Sequence, residues 1–585
     1  ARARGAQSRW GPPTCAPRRL ARPLMALAPP APPAPRAEPL LVAPHPARRG
    51  SSRLALRPTS WAAVLVVGLV GGVVGGPVPG EQHFPIVYVV YGPGGVPEAR
   101  AVVRADAPCP VLAGPLGNRT SQLRGTGDGA MPYAFPVRVC AVPLPRDSPA
   151  GALTLGGRPL PRLTTAPAKF ALIGDTGLRV KPKNLGTCTK PGPASMYGIK
   201  LCEPEHRVLF DPERVSGSYQ ALDNWPLKDQ MDQAAARLPD VVVHVGDYLY
   251  RQGPCAQNKG CAGINDPTNE SVPGAWGDNW NGWYSDLFEP SLGLMAAAPW
   301  IVLRGDHEQC DRGGHGYFLF VDPRPLPANW TADYCRDYTE TYTVSFDQQQ
   351  FLIMDDSVIQ DVHMDDVCPE VGAHQEDALP LNRYEDPKQA LSHSEIREQI
   401  TYFAGQFSKV IANVQPGLTN FLVSHRPLFG VGCNQGKYVT MDWTMQQALG
   451  NRTLKGISAS INGHVHWFQG LSFEGGSERP MEIVVGNGGT DVTKYSMASP
   501  SAPEGLRIGG VRLERAFTQS VFGFSMLAAA GGAEGGGYHL EALRIRGSGP
   551  SVAMASLWSS AVPSGAQLAD AGRARRLEAT AALLV

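Results

Sequence analysis

Short apolar runs that end in polar residues recur through the middle of the chain. They read KFALIGDTG (169–177), DVVVHVGDYLY (240–250), WIVLRGDHE (300–308), QFLIMDDS (350–357), NFLVSHRP (420–427), SASINGHVH (458–466) and EIVVGNGG (482–489). Each run has the length and composition of a buried strand, and the polar residues after it indicate a loop.

Two segments between these runs carry apolar residues at helical spacing. The first contains Leu227, Met231, Ala234, Ala235 and Leu238, and the second contains Ile396, Ile400, Phe403, Phe407 and Ile411. Strands that alternate with amphipathic helices predict a layered α/β domain over 169–500. Sheets of this kind bind ligands beyond the carboxyl ends of their strands, where the polar clusters lie.

The flanking segments have other patterns. Residues 84–165 contain short β-type runs between Gly/Pro turns, which predicts a small β-rich domain. Residues 501–560 predict a C-terminal β-type extension, and the Ala/Gly/Ser-rich tail 561–585 predicts disorder.

Residues 1–80 form an Arg/Pro/Ala-rich leader without lysine and with one acid, Glu38, a composition that cannot build a core. Its apolar run 61–76, WAAVLVVGLVGGVVGG, follows several arginines and is typical of a signal peptide or signal anchor. A buried core helix is the alternative, which five glycines disfavour. We therefore expect a secreted or lumenal protein, or else a membrane-anchored one with an extracytoplasmic catalytic domain.

Charge and cysteine content narrow the function classes. Lys plus Arg (53) and Asp plus Glu (52) nearly cancel, so nothing indicates a nucleic-acid partner. Ten of the eleven cysteines follow the leader, which predicts disulfides in an oxidising compartment, with Cys255–Cys261 the simplest pair. Sequons at Asn118, Asn269, Asn329 and Asn451 suit a glycoprotein.

The strand ends supply a set of possible metal ligands. In chain order they are Asp175, Asp247, Asp306 with His307, His425, and His464 with His466. Each cluster alone is better interpreted as a structural polar turn. Together they form a mixed carboxylate and imidazole set that suits Zn, Fe or Mn, and their number fits two metal ions and exceeds the need of one.

The motifs GDTG, GDYLY, GDHE, VSHRP and NGHVH, in this order over about 169–490, resemble those of the calcineurin-like metallophosphoesterases. That family's fold is a four-layer α/β/β/α sandwich of two stacked sheets flanked by helices. The resemblance implies a dinuclear metallophosphoesterase that hydrolyses phosphate esters with a metal-bound hydroxide.

Within the family the pattern is most similar to that of the purple acid phosphatases. The usual histidine of the first motif is here Gly177, whereas Tyr250 follows Asp247 by three residues. A tyrosinate ligand favours Fe(III), so the resemblance implies one iron with Fe, Zn or Mn as the second metal. Tyr250 as a packing residue is the equal alternative, and Tyr248 is the weaker candidate ligand.

Carried over motif by motif, the resemblance implies that Asp175, Asp247, His466 and Tyr250 hold one metal. Asp247 bridges to a second metal held by the residue at 306, His425 and His464. His307 is then the catalytic group that binds phosphate or protonates the leaving oxygen.

Three neighbouring residues complete the expected site. Asp306 departs from the family's Asn, which keeps a ligand oxygen but adds a negative charge. Glu308 is expected to orient its neighbours, and Arg426 to bind a phosphate oxygen or, equally, to pair with an acid.

The function predicted is an acid-phosphatase-like hydrolase acting on a phosphorylated small molecule or other phosphoester. The alternative is a catalytically impaired binding ectodomain that keeps the fold, which only Asp306 favours. The Trp-rich stretch 269–290 can line the site or pack beneath it. The sequence fixes neither the substrate nor the oligomeric state.

Overall fold

The computed structural model describes residues 78–115, 117–126, 135–183, 191–196, 199–202, 216–256, 259–265, 276–327, 334–359, 366–367, 393–434, 437–440, 443–474, 479–492, 507–508, 511–530, 537–546, 553–564 and 567. The predicted signal segment 61–76, nearly all of the leader and of the tail, and the sequons at Asn269 and Asn329 lie outside these residues. Within the described part of the chain, no helix is both long enough and apolar enough to cross a bilayer.

The strands, in chain order, are β1 Ile86–Tyr91, β2 Pro97–Arg104, β3 Val111–Ala113, β4 Arg119–Thr120, β5 Gln122–Thr126, β6 Val137–Pro143, β7 Thr154–Leu155, β8 Arg158–Pro159, β9 Lys169–Ile173, β10 Val180–Lys183, β11 Pro191–Met196, β12 Ile199–Cys202, β13 Ser216–Tyr219, β14 Val241–His244, β15 Trp300–Val302, β16 Tyr342–Ser345, β17 Gln349–Ile353, β18 Asp366–Val367, β19 Thr419–Val423, β20 Val431–Asn434, β21 Lys437–Thr440, β22 Ile457–Asn462, β23 Phe468–Phe473, β24 Met481–Val485, β25 Arg507–Ile508, β26 Val511–Gln519, β27 Gly523–Ala529, β28 Tyr538–Arg546 and β29 Ala553–Val562. The α-helices are α1 Leu227–Ala236, α2 Trp280–Trp283, α3 Glu289–Ala297, α4 Gly314–Gly316, α5 His393–Asn413 and α6 Trp443–Leu449.

Two large sheets organise the described residues. One has the strand order β29-β28-β27-β9-β14-β15-β1-β2-β6-β5, and the other has the order β16-β17-β19-β22-β24-β23-β26-β25. All seven predicted strands are confirmed: β9, β14 and β15 run parallel in the first sheet, and β17, β19, β22 and β24 run parallel in the second.

The sheets stack because their strands are apolar on both faces. In β9, Phe170 and Leu172 lie in the core between the sheets, whereas Ala171 and Ile173 pack in the outer cluster that includes α1 and α3. On the far side, β17 and β19 pack against α5 and α6. The predicted four-layer α/β/β/α sandwich is confirmed.

The two predicted helices form, with one difference in extent. The apolar stripe of the second lies within α5. The first, α1, ends at Ala236, and Leu238 follows it with a φ of 50° and 74% of its surface exposed. Leu238 is therefore not part of the buried face that the spacing predicted.

Other helical segments among the described residues were not predicted, and the longest of them spans 280–297. Residues 280–297 form α2, a π turn over Tyr284–Phe288, and α3 without interruption. Trp280 and Trp283 are fully buried in the outer core cluster. Of the two alternatives for the Trp-rich stretch, these two side chains therefore pack in the core and do not line the site.

The segments on either side of the central region extend the same sheets. Strand β1 pairs in parallel with β15, and β2, β6 and β5 continue the sheet outward. At the other end, β26 pairs with β23, and β27 pairs with β9. The domain limits stay a prediction, but four of the eight strands of 84–165 (β1, β2, β5 and β6) and the strands β25 to β29 are hydrogen-bonded into the main sheets. The other four strands, β3, β4, β7 and β8, form a small sheet of their own.

Three disulfides join described cysteines: Cys109–Cys140, Cys255–Cys261 and Cys310–Cys335. The predicted pair Cys255–Cys261 is confirmed. The sequon residues Asn118 and Asn451 are exposed.

Candidate metal centre

The candidate ligands stand in loops that follow parallel strands of both sheets. Asp175 follows β9, Asp247 follows β14 and Asp306 follows β15, whereas His425 follows β19, and His464 and His466 follow β22. Because the sheets are stacked with these carboxyl ends at one edge, residues almost 300 positions apart in the chain come into contact, such as His466 and Asp175, whose Nε2 and Oδ1 atoms are 3.7 Å apart.

Three of these residues have left-handed backbones. The φ angles are 56° at Asp175, 60° at Asp247 and 69° at His464. Such angles cost on the order of 1–3 kcal/mol for residues other than glycine, and they persist where the surroundings enforce them. The conformation turns each of these residues sharply out of its strand.

A glycine permits the closest approach between two of these loops. A Cβ atom added at Gly305 would lie 2.1 Å from Oδ1 of Asp247. The loops that carry Asp247 and Asp306 can therefore meet only because residue 305 has no side chain.

The first group of donor atoms surrounds the hydroxyl of Tyr250. Its Oη lies 3.0 Å from Oδ1 of Asp175, 2.5 Å from Oδ2 of Asp247 and 3.0 Å from Nε2 of His466. Four donors of the kinds that bind transition metals thus converge on one buried point.

Residue 177, where the family has a histidine, has no room for a side chain. A Cβ at Gly177 would lie 2.6 Å from the Tyr248 carbonyl oxygen and 2.7 Å from Oδ2 of Asp286. Tyr248 itself packs elsewhere, with its ring on His244 and its hydroxyl donating to the Leu303 carbonyl at 3.1 Å. Tyr250 is therefore the tyrosine that reaches the centre.

The second group of donor atoms surrounds Oδ1 of Asp306. This oxygen is 3.2 Å from Nε2 of His425 and 3.0 Å from Nδ1 of His464. Asp247 joins the two groups, because its Oδ2 faces Tyr250 while its Oδ1 lies 3.3 Å from Nε2 of His425. This carboxylate is in the position that a bridging ligand requires.

The imidazoles are oriented by hydrogen bonds on their other ring nitrogen. Nδ1 of His425 lies 2.8 Å from the Val245 carbonyl oxygen, and Nδ1 of His466 lies 3.0 Å from that of Asp491. Donation to a carbonyl fixes a proton on Nδ1, so Nε2 is the ring nitrogen that faces the centre in both imidazoles.

The centre gathers negative charge in a buried place. Burial raises the pKa of Asp175 to about 8, with the nearby Asp247 adding to the rise and His425 opposing it. Burial also raises the pKa of Tyr250 well above its usual value, as do Asp175 and Asp247. A bound metal cation would oppose both shifts, because it favours the ionised forms of a carboxylate and a phenol.

His425 and Asp306 stabilise each other's charged form, as the opposite directions of their pKa shifts indicate. Burial alone would lower the pKa of His425, but Asp247 and Asp306 raise it well above its usual value. Burial alone would raise the pKa of Asp306, yet hydrogen bonds from His425 and His464 and the charge of Arg312 hold it well below its usual value. The chemistry and geometry of the donor set fit two cations.

His307 lies beside these groups without joining either. Both described hydrogen-bond contacts of its ring use Nδ1, with Nε2 of Gln252 at 3.0 Å and the Leu249 carbonyl oxygen at 3.3 Å. The ring lies against that of Tyr250, with centroids 3.7 Å apart and the ring planes tilted by 33°. Burial lowers the pKa of His307 well below its usual value, so the ring is neutral and offers Nε2 to a ligand.

Glu308 holds the loop that carries Asp247. Its Oε2 accepts from the backbone N–H groups of Asp247 at 2.9 Å and Gly305 at 3.1 Å, and its Oε1 from those of Tyr248 at 2.8 Å and Leu249 at 3.1 Å. These four hydrogen bonds fix the backbone of residues 247–249 relative to Gly305. Arg426 has its Nη1 3.1 Å from Nε2 of His464 and its Nη2 3.9 Å from Oδ2 of Asp306.

Four residues that support the centre were not singled out from the sequence: Gln252, Asp286, Arg312 and Asp356. Asp356 accepts from the backbone N–H groups of His425 at 2.8 Å and Arg426 at 3.0 Å. Asp286 accepts from the N–H of Tyr250 at 3.0 Å. The run QFLIMDDS pointed to Asp356, because that residue also follows a strand end, but no sequence pattern marks the other three.

Comparison with known proteins agrees with this arrangement. The family profile described as calcineurin-like phosphoesterase matches residues 168–468. No curated protein sequence matches the chain. Among solved structures, one titled "Structure of PhoD" is similar with a TM-score of 0.42 and 12% sequence identity, over 83% of this chain and 91% of that one. The profile match covers just over half of the chain and all five strand-end motifs, and the protein is therefore a member of the calcineurin-like phosphoesterase family.

Proposed function

We propose that the protein is a phosphatase that hydrolyses phosphate esters at a dinuclear metal centre. The observation that carries the proposal is the position of Asp247, whose two carboxylate oxygens face two different groups of nitrogen and oxygen donors. A single metal would leave one of these groups unused.

Each group would hold one cation. Asp175, Asp247, His466 and Tyr250 would bind the first, and Asp306, His425 and His464, with Asp247 shared, would bind the second. When bound, such a pair of cations lowers the pKa of a water molecule and neutralises charge on phosphoryl oxygens.

The chain's own groups then bind and orient the substrate. His307 directs Nε2 away from Gln252, and its neutral ring favours hydrogen bonding to a phosphoryl oxygen over the role of acid. Arg426 can hold a further anionic oxygen at the edge marked by His464. Glu308 and Asp356 keep the loops of Asp247 and His425 in place.

The iron-containing subtype forms a finer part of the proposal. The hydroxyl of Tyr250 lies among the first group of donors, and residue 177 has no room for an imidazole. We expect purified protein to show a tyrosinate-to-iron absorption band that Tyr250→Phe abolishes. Tyr248→Phe is the matched control and should keep the band, because the Tyr248 hydroxyl bonds to Leu303 instead. A band that survives in Tyr250→Phe contradicts this assignment.

The experiment that tests the function uses the full chain. Metals would be counted by elemental analysis, and hydrolysis of a chromogenic phosphomonoester and a phosphodiester would be followed with and without chelator. Two metals per chain and chelator-sensitive hydrolysis support the proposal. Metal-free wild-type protein that hydrolyses neither ester would support the alternative, a binding ectodomain.

We further propose an oxidising compartment, secreted or lumenal, with a membrane-anchored form as the alternative. Three disulfides among the described residues support it. Sequencing the N-terminus of the mature protein distinguishes a cleaved signal from a retained anchor. Occupancy of Asn118 and Asn451, measured by mass spectrometry after deglycosylation, tests the same route.

A further inference from the structure

Asp306 presents its two carboxylate oxygens to two different environments. Oδ1 faces the imidazoles of His425 and His464, at 3.2 and 3.0 Å. Oδ2 points the other way, where Nη1 of Arg312 donates to it at 2.6 Å and Nη2 of Arg426 lies 3.9 Å away. One carboxylate oxygen of Asp306 thus faces the two histidines, and the other faces the two arginines.

Arg312 is also fixed to the backbone of the same residue. Its Nη1 lies 3.1 Å from the carbonyl oxygen of Asp306, and only 22% of its side chain is exposed. The single atom Nη1 thus bonds both the main chain and the side chain of Asp306, which holds the guanidinium in one position. The guanidinium therefore offsets the charge of Asp306 where solvent screening is weak.

We propose that Arg312 is a positioning residue that lets Asp306 act as a ligand with the charge of an amide. It binds Oδ2, cancels its charge and leaves Oδ1 to face the second metal position. This inference rests on the dinuclear function proposed above. It explains how an aspartate at 306 can replace the family's asparagine without abolishing the function of the centre.

The pair makes a specific prediction about asparagine at 306. An amide nitrogen in the place of Oδ2 would meet the donors of Arg312 and Arg426, with no acceptor among them. The opposite rotamer would turn the amide nitrogen toward His425 and His464 and remove the ligand oxygen. The family's own residue should therefore fail here unless Arg312 changes with it.

A double-mutant cycle tests this coupling with two readouts besides activity, the metals per chain and the affinity for inorganic phosphate measured by calorimetry. Asp306→Asn should lower the metal content from two per chain toward one. Arg312→Gln should keep both metals but weaken phosphate binding about tenfold, since an uncompensated carboxylate then repels the anion. The double variant should return both quantities to within about threefold of wild type, since glutamine can accept from the new amide.

Arg324→Gln is the matched control. Arg324 pairs with Asp322 at 2.8 Å, and 21% of its side chain is exposed, close to the value for Arg312. It should lower thermal stability without changing metal content or phosphate affinity.

Additive effects of the two substitutions would overturn the inference, as would an Asp306→Asn variant that keeps both metals and full phosphate affinity. If Asp306→Asn does not fold, Arg312→Gln and the double variant suffice, because the added asparagine should then restore phosphate affinity. Wild-type protein without metal would instead remove the proposed function itself. Wild-type protein with two metals and an additive cycle would remove only the role of Arg312.

Discussion

The ring of His307 is held differently from the imidazoles of the donor groups. Nε2 of His425 and His466 points at carboxylates, whereas the protein contacts of the His307 ring are made through Nδ1. We expect His307→Gln to lower kcat by about 10²- to 10³-fold, the range for loss of one hydrogen bond to an oxygen on which charge develops in the transition state. Its metal content should remain at the wild-type value.

The control for this substitution is His315→Gln. His315 lies on the same stretch of chain, and its ring contacts Asp278 at 3.1 Å instead of the centre. Its kcat should match that of wild type. Loss of a metal in His307→Gln would identify His307 as a ligand and contradict the role proposed here.

Glu482, the first residue of the run EIVVGNGG, is a buried acid outside the predicted site. Its Oε1 accepts from the N–H of Phe429 at 3.1 Å, whereas Oε2 has no hydrogen-bond partner among the described residues. Burial raises the pKa of Glu482 from 4.5 to about 8. The folded protein therefore binds the proton more tightly than the unfolded chain does.

The pH dependence follows from this difference. Between about pH 4.5 and 8 unfolding releases the proton, so this group lowers the free energy of unfolding as pH rises, by on the order of a few kcal/mol in total. Glu482→Gln should gain stability relative to wild type at pH 8.5 but not at pH 4.5, as measured by thermal unfolding. An equal difference at both pH values would show that Glu482 does not titrate in this range.

At this scale the sequence pattern indicates the candidate ligands more readily than the residues that hold them in place. Five candidate ligands follow strand ends, where the local sequence pattern identifies them: Asp175, Asp247, His425, His464 and His466. Gln252, Asp286 and Arg312 act through tertiary contacts of single side chains, and such contacts leave no periodic trace in the sequence.

The loop between β14 and Tyr250 depends on one carboxylate. Glu308 accepts four backbone N–H groups with its two oxygens, three of them from consecutive residues 247–249. In Glu308→Gln one of these oxygens becomes a donor that faces two N–H groups. We expect a loss on the order of 3 kcal/mol in the free energy of unfolding and weaker metal binding.

Glu482→Gln is the same substitution at another fully buried glutamate and serves as its control. One acceptor oxygen satisfies that site, so the variant should be no less stable than wild type at neutral pH. Chemical denaturation of both variants measures the contrast. A Glu308→Gln protein of wild-type stability would mean that the loop is held by other contacts.

Helix prediction succeeded where apolar residues follow one face and failed where aromatic residues dominate. The segment 280–297 begins after Asn279, whose side chain accepts from the N–H of Gly282 at 2.9 Å. Its tryptophans, glycines and proline resemble a loop by composition. The helix forms because Trp280 and Trp283 are buried against the outer face of the ten-stranded sheet, and tertiary packing outweighs weak helix propensity there.

Across the whole molecule the centre joins loops from both sheets. Cations bound there stabilise only the folded chain, by about 4 kcal/mol for each site at a concentration 1,000 times the dissociation constant. We expect chelator to lower the melting temperature and added metal to restore it, followed by calorimetry. His307→Gln should keep this shift, whereas Asp247→Ala should lose it, and a melting temperature indifferent to chelator would argue against a structural contribution from metals.

The layered core was predictable because each of its strands is continuous in sequence and apolar on both faces. The connection of the outer segments was not. Strand β1 pairs with β15 through Val90 and Trp300, which are about 200 residues apart, and β27 pairs with β9 over a longer separation still. Pairing across such distances depends on the whole fold, so 84–165 reads from sequence as a β-rich unit of its own.

The pairing of β27 with β9 has a consequence for the nascent chain during translation. Asp175 stands at the end of β9, and the strand that covers the open side of β9 is synthesised about 350 residues later. At about 5–20 residues per second a ribosome needs on the order of 20 to 70 s for that length. Through that interval one side of β9, the strand that leads to Asp175, lacks its partner strand, and an open strand edge can pair with other chains and aggregate.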